Sequence, residues 1–254
     1  IPIGNNLRLA STEMSSGFTL FRNNTGAGTN YPYTNGSITI KGVGEEGGVA
    51  DTGTGGWGCS VVGNTIEYTL TDKRSIGILL YAGGTTCSGN VIKGATSYGI
   101  FVSGRSGEGI NITGNTIYEH RKGYAIGIDG GGTSNINISE NVITLNPKEV
   151  TGDNASGGIY VKPSSEYELK NLAIKGNTIQ LLATANAEVT RFNGMFFQVK
   201  LGRTLENAII KDNTIINDTA ISAFYKPISI DNSGTITGMH IEGTIQIPTV
   251  SSAG

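Results

Sequence analysis

The chain has 254 residues, 20 acidic and 18 basic for a net charge of −2, and only 15% of them are charged. So low and balanced a charge offers no basic stripe for a phosphate backbone and no polybasic patch for an anionic membrane, which argues against nucleic acid and membrane surfaces as partners. Glycine occurs 39 times, asparagine 23 and threonine 29 by direct count, a composition of turns and strands that speaks against an all-α fold.

No run of 18 apolar residues and no charged-then-apolar leader is present, and the chain opens Ile1-Pro2-Ile3 without Met, so it reads as a segment of a longer polypeptide. Residues 1–37, with strand-like Leu7-Arg8-Leu9 and Phe18-Thr19-Leu20-Phe21, read as an irregular lead-in. Residues 38–254 read as the regular part of the same single domain, opening on Ile38-Thr39-Ile40. Gly42-Val43-Gly44-Glu45-Glu46-Gly47 has the glycine spacing of a dinucleotide-binding turn. The stretch after it, Gly48 to Gly53, cannot start a helix, so it reads as a turn-rich insertion. Trp57, in a glycine loop, suits either a core cap or a sugar contact. Cys59 and Cys87 lie 28 apart with no CxxC and no His at ligand spacing, which fits two buried small residues.

From Asn64 onward a four-residue signature, x-Asn-Thr/Val-Ile, recurs. It appears as Gly63-Asn64-Thr65-Ile66, Gly89-Asn90-Val91-Ile92, Gly114-Asn115-Thr116-Ile117, Glu140-Asn141-Val142-Ile143, Gly176-Asn177-Thr178-Ile179 and Asp212-Asn213-Thr214-Ile215. The asparagines are 26, 25, 26, 36 and 36 residues apart. A period-2 strand precedes most of them, as in Ile110-Asn111-Ile112 and Ile136-Asn137-Ile138. Between them lies a second strand opened by a small residue: Gly77 to Tyr81, Gly99 to Ser103, Ala125 to Asp129, Gly158 to Lys162 and Gly194 to Gln198. Units this short cannot bury their own apolar side, so they must stack, each strand pairing with its counterpart one rung away at about 4.8 Å. The result is a parallel β-solenoid. An Asn at one fixed point of every coil then serves two ends, hydrogen bonding along the axis and tolerance of the left-handed conformation of a sharp corner.

The coils of about 25 residues, the Gly-Asn-Thr-Ile corners and the Gly-Ile-x-Val strands resemble the pectin-lyase-like right-handed parallel β-helix, from about Ile38 to Ile247. The resemblance implies an all-β right-handed solenoid, with residues 1–37 as its leading coils and longer inserted loops in the second half; the handedness also follows the general preference of parallel crossovers. For activity it implies binding or cleavage of polysaccharide by one of several chemistries. The polygalacturonase strings Asn-Thr-Asp, Asp-Asp, Gly-His-Gly and Arg-Ile-Lys do not occur here, nor do the epimerase Asp-Pro-His-Glu or the pectate-lyase Trp-Ile-Asp-His. A Gly-, Ser-, Thr- and Asn-rich β-helix of low charge without those strings looks most like the receptor-binding domain of a bacteriophage tailspike. That likeness implies a homotrimer on the virion tail that binds, and often depolymerises, capsule or O-antigen.

Alternate residues of the second strand are expected to point outward in two columns, Leu79, Phe101, Gly127, Tyr160, Phe196 and Tyr81, Ser103, Asp129, Lys162, Gln198. Such an aromatic row suits stacking against sugar rings and equally suits a trimer seam. Gly127 is expected to leave a side-chain-sized gap beside Asp129. The adjoining loops hold Arg105, Glu108, Glu166 and Arg203, and the 36-residue spacings place extra residues before Gly158 and Gly194, where function tends to reside. Glycoside hydrolysis needs two carboxyl groups, about 5 to 5.5 Å apart for retention or 6.5 to 9.5 Å for inversion. The expected catalytic groups are Asp129 with Glu166 or Glu108, and the expected sugar contacts are Phe101, Tyr160, Phe196, Lys162, Arg105 and Arg203. No metal or cofactor is expected for hydrolysis. A secreted lyase or epimerase is the first alternative, with Lys162 as base and calcium as an acidifying ion, and a non-catalytic adhesin or structural β-helix is the second. His120, in Glu119-His120-Arg121-Lys122, reads as a solvated corner.

Overall fold

A computed structural model describes residues 12–15, 20–22, 25–27, 38–41, 60–67, 76–80, 83–103, 109–120, 122–130, 134–146, 156–163, 168–182, 192–217 and 225–248. Every described element is a β-strand, and every strand pair is parallel. Three sheets of eight, nine and eight strands run the length of the solenoid. Sheet A contains Ile76–Leu80, Tyr98–Ser103, Tyr124–Gly130, Ser156–Pro163, Phe192–Val199 and Tyr225–Asn232. Sheet B holds the strands that precede each repeated Asn, such as Asn111–Thr113, and sheet C those that follow it, such as Thr116–His120. One coil visits the three in turn and returns one rung further along.

The core follows from period-2 alternation closed on three sides. Ile112, Ile138, Ile174 and Ile210 line up from sheet B, Ile92, Ile117, Ile143, Ile179 and Ile215 from sheet C, and Val102, Ile128, Val161 and Phe197 from sheet A. All are fully or almost fully buried. Each contributes about 1.5–3 kcal/mol by leaving water, and β-branched side chains suit a pleated surface. In the last rung the equivalent positions, Ile230 and Ile241, are 44% and 49% exposed.

The small residue that opens each sheet A strand has a steric cause. A Cβ on Gly158 would lie 2.6 Å from the Gly194 carbonyl oxygen and 2.7 Å from Ile179 Cγ2, because the chain passes there directly under the next coil and against the sheet C isoleucine.

The repeated asparagines form a continuous buried amide ladder. The backbone N–H of Asn64, Asn90, Asn115, Asn141 and Asn177 each donates to the next asparagine's Oδ1 at 3.0 Å. Their Nδ2 groups donate to the same oxygens at 2.8–2.9 Å. From Asn90 on, each Nδ2 also reaches back to a backbone carbonyl, of Val61, Cys87, Ile112, Ile138 and Ile174 in turn, at 2.9 Å. The 36-residue spacings leave the ladder unchanged, so the extra residues leave and rejoin the coil elsewhere. The corner itself is made differently from the sequence expectation. The left-handed residue is the one before the asparagine, with φ near 60° at Gly63, Gly89, Gly114, Glu140, Gly176 and Asp212. The asparagine is thereby free to turn its amide inward and satisfy buried backbone groups.

Replacing Asn115 by Ala removes the acceptor for two Asn90 donors and the donor to Asn141. Buried groups left without partners cost about 1–3 kcal/mol each, so Asn115→Ala is expected to lower stability by roughly 2–5 kcal/mol in urea unfolding. Asn137→Ala, at a half-buried outward position, should change it by less than about 1 kcal/mol.

Candidate functional site

The outward columns of sheet A exist in the expected register. Leu79, Phe101, Gly127, Tyr160, Phe196 and Ser229 are successive partners, and so are Ser103, Asp129 and Lys162. A further outward residue, three positions before each member of the first column, extends the surface: Tyr98 pairs with Tyr124, which pairs with Gly157.

These aromatics do not stand in one open row. Tyr98 and Phe101 stack on each other with centroids 4.1 Å apart and planes 16° apart. Tyr124 stacks on Tyr160 at 4.8 Å, and both lie against Phe196 at 6.3 and 5.7 Å. Gly127 is therefore no empty gap. A Cβ there would meet Tyr98 Cε1 at 2.4 Å and Phe101 Cδ2 at 2.9 Å, because both rings lean forward over the glycine of the next coil. At Gly157 the Tyr124 ring also leans in, at 2.8 Å, but the Asn193 carbonyl oxygen of the next coil is nearer still, at 2.2 Å. The expected pocket beside Asp129 is filled by the protein's own rings, which gain more from mutual contact than from an open cleft. Leu79 and Tyr160 are buried, at 1% and 8% exposure, while Tyr98, Phe101 and Phe196 remain half-buried.

A polar rim borders the second stack. Lys162 Nζ lies 2.7 Å from Asp129 Oδ2 as a one-rung ion pair, each side chain about one-third exposed or less. The Tyr160 hydroxyl donates to Gln198 Oε1 at 2.8 Å. Arg203, expected as a sugar contact, instead donates from its guanidinium to the Pro163 carbonyl oxygen at 2.8 Å and pins the corner between sheets A and B. Lys200 approaches Asp231 at 3.5 Å. Burial pushes the phenols of Tyr160 and Tyr124 above their ordinary value of 10; Asp129 adds to the rise at Tyr160, and the Asn193 hydrogen bond opposes it at Tyr124.

Of the expected catalytic set, Asp129 sits at this rim, while Glu108, Glu166 and the binding residue Arg105 lie outside the described residues, as do Tyr81, Trp57 and Cys59. Asp231 is three rungs from Asp129 in the same column, roughly 14 Å at about 4.8 Å per rung, too far for either glycosidase separation. Glu168 and Glu206 are both bound to Lys170 on sheet B. Cys87 is buried, its thiol pushed up to about 12 by that burial against an opposing hydrogen bond with Asn90, and is inert. His120 is not solvated; it is 2% exposed. Among the described residues no group of three or more His, Cys, Asp and Glu gathers to hold a metal ion, and no helix is long and apolar enough to cross a membrane.

The family described as the right handed beta helix region matches residues 54–246. The chain belongs to the right-handed β-helix family. Its solenoid is thus a right-handed parallel β-helix. No curated protein matches the sequence. Among solved structures, the chain is similar to the Streptococcus pneumoniae surface protein and adhesin PfbA, with a TM-score of 0.56 and 15% identity over 96% of this chain. The match spans 62% of that protein's chain.

Sequence reasoning missed Tyr98 and Tyr124. Their signal was present, since the strand begins earlier than the Gly-Ile pattern, but the stacking that makes them part of the site depends on ring direction, Tyr98 folding onto Phe101 of its own strand and Tyr124 crossing to Tyr160 of the next.

Gly127→Ala is expected to disrupt the Tyr98–Phe101 stack, visible as a changed near-UV circular dichroism spectrum, at a cost below about 2 kcal/mol because outward rings can swing away. Gly158→Ala meets backbone and core instead and should cost more than Gly127→Ala in the same denaturation assay. Tyr124 and Tyr160 favour their neutral forms in the fold, so the stability they lend is complete below pH 10 and declines as pH rises beyond it. A spectrophotometric titration should show two tyrosines ionising later than those of the unfolded chain.

Proposed function

We propose that this β-helix binds a bacterial surface polysaccharide, capsule or O-antigen, along its sheet A face. The observation that carries the reading is the cluster Tyr98, Phe101, Tyr124, Tyr160 and Phe196 beside a rim of Asp129, Lys162 and Gln198. Half-buried Tyr98, Phe101 and Phe196 offer apolar surface to the C–H face of a pyranose; buried Tyr124 and Tyr160 hold the Phe196 ring in place, and Tyr98 and Phe101 hold each other. The polar rim supplies donors and acceptors for hydroxyls. Likeness in fold to a surface adhesin fits an extracellular setting. A homotrimeric phage tailspike is the setting proposed here, in which some of this aromatic surface faces a neighbouring subunit.

Cleavage is the second reading, favoured by the partly exposed Asp129 carboxylate at the edge of the aromatic cluster. In it Asp129, already in contact with an ammonium, is cast as the ionised partner, and Glu166 or Glu108 delivers the proton to the leaving oxygen. Arg105 extends the sugar contacts from its loop. A lyase would instead use Lys162 as base, with calcium as the acidifying ion, and would release the chain from the virion setting as a secreted enzyme.

Incubation with a panel of capsular and O-antigen polysaccharides, with mass analysis of products and of bound polymer, tests these readings together. Retention of intact polymer, weakened about 3- to 10-fold by Phe196→Ala or Tyr98→Ala, supports binding. Products heavier by one water per cut, lost in Asp129→Asn, support hydrolysis. Unsaturated products lost in Lys162→Met support the lyase. No binding across the panel, with trimer formation lost in Phe196→Ala, overturns the reading and makes the face a subunit seam.

A further inference from the structure

One buried titratable side chain has no part in the binding face. His120 ends the strand Thr116–His120, whose register with Val142–Leu145 slips between Ile117 and His120, so that His120 stands opposite Leu145. The slip puts Glu119 in the left-handed region at φ 52° and carries the imidazole inward. The His120 carbonyl accepts from the Asn146 N–H at 2.8 Å, but neither ring nitrogen has a hydrogen-bond partner. The backbone of Lys122 and Gly123 approaches the ring and favours its charged form without closing a hydrogen bond. A buried polar group without a partner is rare enough to call for a reason.

Among the described residues, the elements packed on this strand bring no countercharge. Val91–Lys93 carries Lys93, which is engaged by Glu67 at 2.9 Å and lies over the Tyr118 ring at 5.7 Å. Val142–Leu145 carries no titratable group. Tyr124–Gly130 carries Tyr124, whose hydroxyl accepts from Asn193 at 3.5 Å, and Asp129, bound to Lys162. Glu119 and Lys122 flank the ring in sequence, and none of these charged side chains governs its protonation, which burial dominates.

The corner that follows His120 leads straight into the aromatic site. Gly123 donates to Ser156 Oγ at 3.2 Å and accepts from the Gly157 N–H at 2.9 Å, while the Tyr124 N–H donates to the Ser97 carbonyl at 3.1 Å. Only Arg121, Lys122 and Gly123 separate His120 from Tyr124 in sequence, and the hydrogen bonds at Gly123 and Tyr124 tie the far end of that link to the neighbouring coils. We propose that His120 is an acid-operated latch: protonation of its ring opens the corner at residues 118–124 and releases Tyr124 from its stack with Tyr160 and Phe196. The latch itself is independent of the polysaccharide reading; its effect on ligand rests on it.

The direction follows from linkage. Burial pulls the imidazole from 6.5 down to about 3, so the closed corner holds it neutral. Stability from this group is complete above the open-state value of 6.5 and is lost as pH falls towards 3. Over that window the opening equilibrium grows about tenfold per pH unit.

Hydrogen exchange of the intact chain, corrected for intrinsic exchange rates, at pH 7, 6, 5 and 4 tests the latch, with near-UV circular dichroism reporting tyrosine packing. Peptides covering 118–124 should lose protection about tenfold per unit below pH 6.5, with residues 134–143 unchanged, and His120→Leu should abolish the response. His120→Met serves the same purpose if the leucine variant does not fold. A wild-type corner indifferent to pH, or the same pH response in a folded variant, overturns the proposal. Polysaccharide binding that weakens in acid only with His120 present extends the latch to the ligand; absence of binding at every pH counts against the polysaccharide reading and leaves the exchange result to decide the latch.

Discussion

A buried amide must find partners, and in this molecule the stacking of coils in strict register provides them. From Asn90 to Asn177, each ladder asparagine is both donor to the next rung and acceptor from the one before, while its amide also returns to a backbone carbonyl. A coil shifted by one residue would leave several donors unsatisfied inside a dry core and would turn its isoleucines to water. Everything else is arranged around that constraint. Insertions emerge away from the ladder, which runs unbroken across coils of 25 and 36 residues, and the corner before each asparagine takes the left-handed conformation so that the asparagine need not.

Rigid stacking also decides what the outer face becomes. With rungs held about 4.8 Å apart, close to the spacing at which aromatic rings stack, Tyr124 and Tyr160 on neighbouring coils stack on each other, while Tyr98 and Phe101 stack within one strand. Gly127 and Gly157 let rings lean across a rung, and two stacks replace the single row that alternation alone would make. The polar groups follow the same rungs. Asp129 and Lys162 pair because register places them side by side, and Tyr160 reaches Gln198 one coil on. The site is therefore an outgrowth of the solenoid's periodicity, with its chemistry set by which rungs carry which side chains.

Where the periodicity is broken, at the bulge that buries His120, an ionisable group enters the core without a partner. A regular rung would have placed an aliphatic residue there, as Leu145 and Leu181 do in the following coils. The departure lies next to the strand that carries Tyr124, so local irregularity and the candidate site share one corner.

The sequence by itself determined the parallel solenoid, its repeat, the asparagine column and the register of the sheet A face, because each depends on spacing that a one-dimensional pattern preserves. Phe101, Tyr160, Phe196, Asp129 and Lys162 were legible for that reason. Only the tertiary structure decided that Tyr98 and Tyr124 belong to the face, that Gly127 is covered, that Arg203 is tied to a backbone carbonyl and that His120 points inward. Those outcomes rest on side-chain direction and on contacts between residues 25 to 40 positions apart, where a ring's rotamer or a single bulge sets the result and the repeat pattern carries no trace of it.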